Sequence, residues 1–145
     1  MTAPEAIAGF DPQRFFALAR TVGHGRALGL AYRDHGEDWV ELELPWAENL
    51  VSMPDSGIMA TGAIVSLVDT CAGTAVWTRM GAFRPVVTLD LRLDYLRPAA
   101  KGETVIARCE CYKLTRQVAF VRGVAHGGDP ARAIAQCAAT FMTVD

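Results

Sequence analysis

Two periods of hydrophobicity run through this chain. After "GAFRP" the alternation is strict: Val87, Leu89, Leu91, Leu93 and Tyr95 point one way, and Thr88, Asp90, Arg92 and Asp94 the other. Alternation with period two is the pattern of a strand with one buried face. Three further strand patterns follow near 103–113, 116–126 and 133–144, separated by short turns. Upstream, "ALGLAYRDHGEDWVELEL" reads as two strands around the turn His35-Gly36, with Val40, Leu42 and Leu44 on one face and Pro45 closing the run. "FDPQRFFALAR" predicts a short entry helix with Asp11 as N-cap and Pro12 at its first position.

The stretch from about Met59 to Trp77 is different. It is nearly continuously apolar and too long for a strand, so it predicts a helix. Within it Gly62, Ser66, Asp69 and Gly73 fall at spacings of four, three and four, on one face. That face is small and polar, and Thr70 flanks it. Ile64, Leu67, Val68, Cys71, Ala75 and Val76 occupy the others. A helix apolar almost all round is one wrapped by a sheet. With no second long helix in the chain, the small-residue seam suits the same helix of another copy. Asp69 stands out, because burying an ionised carboxylate costs several kcal/mol unless it is paired or hydrogen-bonded. A membrane span is the rival reading of 57–77. It would set Asp69 near mid-bilayer at roughly 2.5–3.5 kcal/mol and leave the strands unexplained.

Composition narrows the function classes. The 145 residues are 51% hydrophobic and 21% charged with net charge −2, enough to build a core and without a general nucleic-acid footprint. The expected organisation is one domain, 1–145, with residues 1–26 as an N-terminal helix and loop. Seven acids and no Lys or Arg lie between Asp34 and Asp55, whereas Arg97, Lys101, Arg108, Lys113 and Arg116 face only Glu103 and Glu110. A local basic window on an acidic chain suits a small anionic ligand. Cys71, Cys109, Cys111 and Cys137 have no CxxC or metal-ligand spacing, so reduced core thiols are expected and no metal or cofactor. "MTAPEAIAGFDPQRFF" has neither a basic start nor an apolar core of a leader, and with the reduced thiols a cytoplasmic protein is expected. His24 and His35 lie among glycines with no visible partner. The "HGG" at His126-Gly127-Gly128 reads as a turn without a catalytic role.

The run "G-x-x-x-T-G-x-x-x-S-L-x-D-T-x-x-G-x-A" from Gly57 to Ala75, followed by "TLDLRLDYLRPA" at 88–99, resembles the hotdog-fold acyl-CoA thioesterases of the phenylacetate-pathway type. The resemblance extends from about residue 27 to the C-terminus. It implies an α+β fold in which a curved antiparallel sheet wraps one long central helix. It also implies a homodimer with active sites between the subunits, assembling further into a homotetramer, with an acyl-CoA as substrate. Residue by residue, it implies that Asp69 is the carboxylate that activates water or attacks the thioester carbon. The family's His-Gly-Gly falls on Ala60-Thr61-Gly62, so the Thr61 amide would polarise the carbonyl, helped by the helix dipole. Thr88 matches a hydroxyl position at the next strand's start. Contacts to phosphate and pantetheine fall on Gly57, Arg97, Pro98, and the turn from Lys113 to Val118 with Arg116. The motif histidine is replaced by Ala60, and the loop amide by Pro54 or Asp55.

Two function classes remain open. One is a thioesterase releasing a small or medium, possibly aromatic, acid from CoA. The other is a hotdog module that holds an acyl thioester without cleaving it. A hotdog dehydratase ranks third, since it needs a catalytic histidine that has no candidate here.

Overall fold

The computed structural model describes residues 7–144. Asp11 caps α1 (Pro12–Ala19) as expected, its carboxylate accepting the amides of Gln13 at 2.9 Å and Arg14 at 3.3 Å. The glycine-rich segment after it is not a loop. It forms a second short helix, α2 (Gly23–Leu28), ended by Gly29 in the left-handed region at φ 79°. The N-terminal part is therefore two helices where one was expected.

Six strands build one antiparallel sheet: β2 (Ala31–His35), β3 (Trp39–Leu44), β5 (Val86–Tyr95), β6 (Val105–Leu114), β7 (Val118–His126) and β8 (Ala135–Thr143). Their spatial order is β2-β3-β6-β7-β8-β5, so β5 is an edge. A separate two-stranded pair joins β1 (Ile7–Ala8) to β4 (Ala82–Phe83). The long helix is α3 (Thr61–Met80), three residues longer at its end than the hydrophobic run predicts, and it stops on Gly81 at φ 64°. The sheet curls round it, and Val40, Leu42, Leu44, Leu67, Val105 and Val121 form part of a single core at 0–1% exposure. Each such side chain contributes on the order of 1.5–3 kcal/mol by leaving water. Thr70, Thr74 and Thr78 are tolerated in this helix because each hydroxyl donates to the carbonyl four residues earlier, at 2.7–2.8 Å. No helix among the described residues is long and apolar enough to cross a membrane.

The strict alternation in β5 misleads at its first half. Thr88 pairs with Phe141 but Asp90 pairs with Thr140, so Leu89 is the extra residue of a bulge. A bulge inverts the facing of everything on one side of it. Val86 and Thr88 therefore share the inner face with Leu91 and Leu93, while Val87 and Leu89 are 43% and 55% exposed. The cysteines behave as core thiols. Cys71, Cys109 and Cys111 are buried, all four are free, and the Cys71 thiol donates to the Val40 carbonyl at 3.2 Å.

Candidate active site

The bulge is what builds the site. Because Leu89 is looped out, Thr88 turns inward, and its hydroxyl donates to Asp69 Oδ1 at 3.0 Å. Asp69 is half-buried, not fully buried as the apolar run suggests. It and Thr88 open onto a cavity of about 300 Å³. The cavity's other walls are Phe15, Phe16, Leu30, Gly73, Trp77 and Phe141. Gly73 thus leaves the expected seam and faces the cavity, where an added Cβ would lie 3.6 Å from Phe141.

The start of α3 is the second candidate feature. Ala60 provides no side-chain cap, and among the described residues no hydrogen bond engages the amides of Thr61 or Gly62. Both residues are exposed. The Tyr95 hydroxyl donates to the Thr61 carbonyl at 3.2 Å, fixing the peptide plane that carries the Gly62 N–H. Partial burial raises the Tyr95 pKa, which keeps that hydroxyl protonated. Eight residues at 1.5 Å separate Thr61 from Asp69, about 12 Å along the helix. One chain therefore does not bring its own amide and carboxylate to one carbonyl.

The basic window of the sequence is dispersed. Arg97 makes a two-pronged pair with Glu103 (2.7 and 3.0 Å) and donates to the Arg132 and Pro98 carbonyls, so its guanidinium is committed within the chain. This contact pushes the Arg97 pKa up and, with burial opposing, holds Glu103 below the usual carboxylate range. Arg108 lies 3.5 Å over the Trp39 ring and pairs with Glu41 at 3.2 Å. Lys101 packs its stem over Gly57, which takes φ 64° and whose carbonyl accepts from Trp46 Nε1 at 2.8 Å. Pro98 lies beside Thr61 and Arg97 in a groove at the helix start. Arg116 lies in a separate groove beside Met80 and Arg84, at the helix end, with Lys113 in the strand just before. Neither of these last two side chains has an ion-pair partner among the described residues.

One polar pair escapes sequence reasoning. His24, on α2, places Nε2 3.1 Å from Ser66 Oγ and also lines the cavity with Asp69. The Ser66 hydroxyl donates to the Gly62 carbonyl at 3.1 Å, which leaves its lone pairs for the His24 N–H. The 42-residue separation hides this pair in the sequence. His126, by contrast, closes β7 in a turn, as the sequence indicates. Its Nδ1 accepts from the Gly128 amide at 3.0 Å, and burial lowers its pKa. Among the described residues no cluster of ligating side chains fits a metal ion.

A helix wrapped by an antiparallel sheet, with a carboxylate on its open face and an apolar cavity beside it, is the arrangement the hotdog resemblance implies. The comparisons with known proteins agree. Residues 56–134 match the family model of the thioesterase superfamily. A provisionally named esterase of Halobacterium salinarum is 33% identical over 108 residues, 68% of this chain and 70% of that protein. A Pseudomonas aeruginosa protein of known crystal structure superposes with a TM-score of 0.79 at 36% identity, covering 91% of this chain and 96% of that one. The PaaI protein of the Escherichia coli phenylacetic acid degradation operon shares the fold, with a TM-score of 0.78 at 17% identity over 92% of each chain. The chain belongs to the thioesterase superfamily, with the hotdog fold, and its enzyme class is thioester hydrolase.

Proposed function

We propose that this protein hydrolyses acyl-CoA thioesters at two equivalent sites, each shared between two copies of the chain. The observation that carries the reading is the Thr88 hydroxyl on Asp69 at the edge of an apolar cavity. That hydrogen bond aims the carboxylate. Asp69 then acts on the thioester carbon, either by taking a proton from an attacking water or by attacking directly. With water as nucleophile, the new C–O bond replaces the C–S bond and the CoA sulfur leaves with the proton that Asp69 took. With direct attack, CoA thiolate leaves as an acyl anhydride forms on Asp69, and a water then cleaves that anhydride to the free acid and supplies the thiol proton.

The oxyanion donor is the Thr61 amide of the second copy, with Gly62 beside it. Two α3 helices packed antiparallel would bring each start beside the other's Asp69. The β5 edge supports pairing, since this ten-residue strand has a neighbouring strand on one side only. Outward Val87 and Met142, register partners on β5 and β8, offer an apolar strip for joining dimers into a homotetramer. The ligand's phosphates belong with Lys113 and Arg116, which have no ion-pair partner among the described residues, while Arg97 and Pro98 shape the groove at the helix start and Gly57 the neighbouring pocket beside Lys101. Free thiols throughout suit the cytoplasm.

The test is release of free thiol from a panel of aryl and straight-chain acyl-CoAs. Asp69→Asn should lose at least about a hundredfold in kcat, the usual scale for a base or nucleophile. Arg116→Glu should raise KM more than it lowers kcat. A second reading, an acyl-thioester-binding module, is favoured by Ala60 standing where the family has histidine. A wild-type protein that binds the panel but releases no thiol would establish it.

A further inference from the structure

The cavity beside Asp69 is not made by the sheet and α3 alone. α1 and α2 supply Phe15, Phe16, Ala19, His24 and Gly25 to its wall. Exposure orders the lining. His24 and Thr88 are exposed and Asp69 is half-buried, whereas Phe16 and Phe141 are 2% exposed. The polar residues therefore form the rim and the rings form the floor. In the wall itself Phe15 and Trp77 sit 5.4 Å apart edge-on, and Phe83 packs against Trp77 at 4.6 Å, so the wall is made of packed rings. One polar bond ties the rim of this segment to α3, from His24 to Ser66, three residues before Asp69 on the helix.

We propose that the α1–α2 segment is the specificity element of this enzyme, and that the His24–Ser66 bond is the latch holding it over the acyl group. The inference rests on the thioesterase reading. Asp69 and Thr88 at the rim place the thioester carbon there, so the acyl chain runs inward onto Phe16 and Phe141. An apolar void of about 150 Å³ already binds a benzene ring. The cavity of about 300 Å³ has room for a compact apolar acyl group, one ring on a short tether or its aliphatic equivalent. His24 is a positioning residue. It touches no reacting atom and acts through Ser66 on the placement of the wall.

Three variants and one binding assay test this. Ala19→Trp fills the cavity from α1 and should lower the ratio of kcat/KM for phenylacetyl-CoA to that for acetyl-CoA at least tenfold. Ala19→Leu should lower it less. His24→Ala should lower the same ratio severalfold, and His24→Gln, which keeps a side-chain N–H, should restore it. The readout free of catalysis is tryptic cleavage after Arg20 and Arg26, both exposed on this segment. A hydrolysis-resistant thioether, S-(2-phenylethyl)-CoA, should slow that cleavage in the wild type, while CoA alone should not. Protection by the thioether in a protein that releases no thiol would overturn the thioesterase reading and keep the segment's role. Thiol release with an unchanged acyl ratio in the Ala19 variants, or equal cleavage with thioether and CoA, would overturn the inference and leave the thioesterase standing. Should Ala19→Trp fail to fold, Ala19→Leu and wild-type protection decide.

Discussion

The two halves of α3 are made of similar residues and meet opposite fates. From Cys71 to Val76 every residue is buried, between the sheet and the cavity wall to which Gly73 belongs. From Thr61 to Asp69, Thr61, Gly62 and Val65 are exposed and Ser66 and Asp69 half-buried. Those five positions form one stripe, at spacings of four along the helix and its neighbour. Val65, at 37% exposure, is an apolar residue left facing out. The second half is covered within one chain, whereas the first keeps an open stripe, the face on which the proposed dimer would form. The proposed chemistry falls on the open half, where Asp69 and the amides at the helix start lie at the two ends of the stripe, about 12 Å apart.

Charge insertion separates the halves most sharply. Val65→Asp should leave a folded but monomeric protein with activity down at least about a hundredfold, because each site lacks its second copy. Ala72→Asp, at a position of 0% exposure, should not fold, since an unpaired buried charge costs several kcal/mol. Gel filtration and circular dichroism distinguish the two. A Val65→Asp protein that stays dimeric and active would show that the open stripe has no partner.

Smaller effects grade the two ends of the stripe. Thr88→Val removes a hydrogen bond to a carboxylate, a class worth about 1.5–3 kcal/mol, so kcat should fall roughly 10- to 100-fold, with Thr88→Ser close to wild type. Tyr95→Phe removes a neutral bond at the helix start, about 0.5–1.5 kcal/mol, and should lower kcat by about 2- to 12-fold. Equal losses for both would mean that the two ends are not doing different work.

The smallest effect is on stability, not rate. Glu103 has its pKa lowered chiefly by the Arg97 hydrogen bond. A depressed carboxylate pKa contributes stability that is complete above its unfolded value, near 4.5, and is lost as pH falls through the lower folded value. Glu103→Gln should therefore lower Tm at pH 7 and flatten its decline below about pH 4.5. A pH profile identical to wild type would detach Arg97 from this framework role.

Much of this fold was legible in the sequence. The long apolar run, the caps of α1 and the period-two strands report burial, which one chain largely determines. What was hidden depended on inserted residues or distant pairs. Nothing in "TLDLRLDY" marks Leu89 as the bulge that turns Thr88 inward, because alternation continues through it. His24 and Ser66 meet only after α2 folds back across the helix. Counting charges placed a basic window where folding instead pairs Arg97 and Arg108 with Glu103 and Glu41. Asp69 was found from the family pattern and from its odd setting. In the structure it lies half-exposed at the rim of the cavity.

Complementation between two inactive variants tests the shared site most directly. Asp69→Asn removes the carboxylate, and Thr61→Pro deletes the amide donor at a position where a helix tolerates proline. Each protein alone should be inactive. After denaturing, mixing in equal amounts and refolding, random pairing makes about half the dimers mixed, each with one intact site of two. Activity should then recover to roughly a quarter of wild type if the sites are independent. A mixture that stays inactive, while tagged mixed dimers are recovered from it, would show that carboxylate and amide do not meet across the interface.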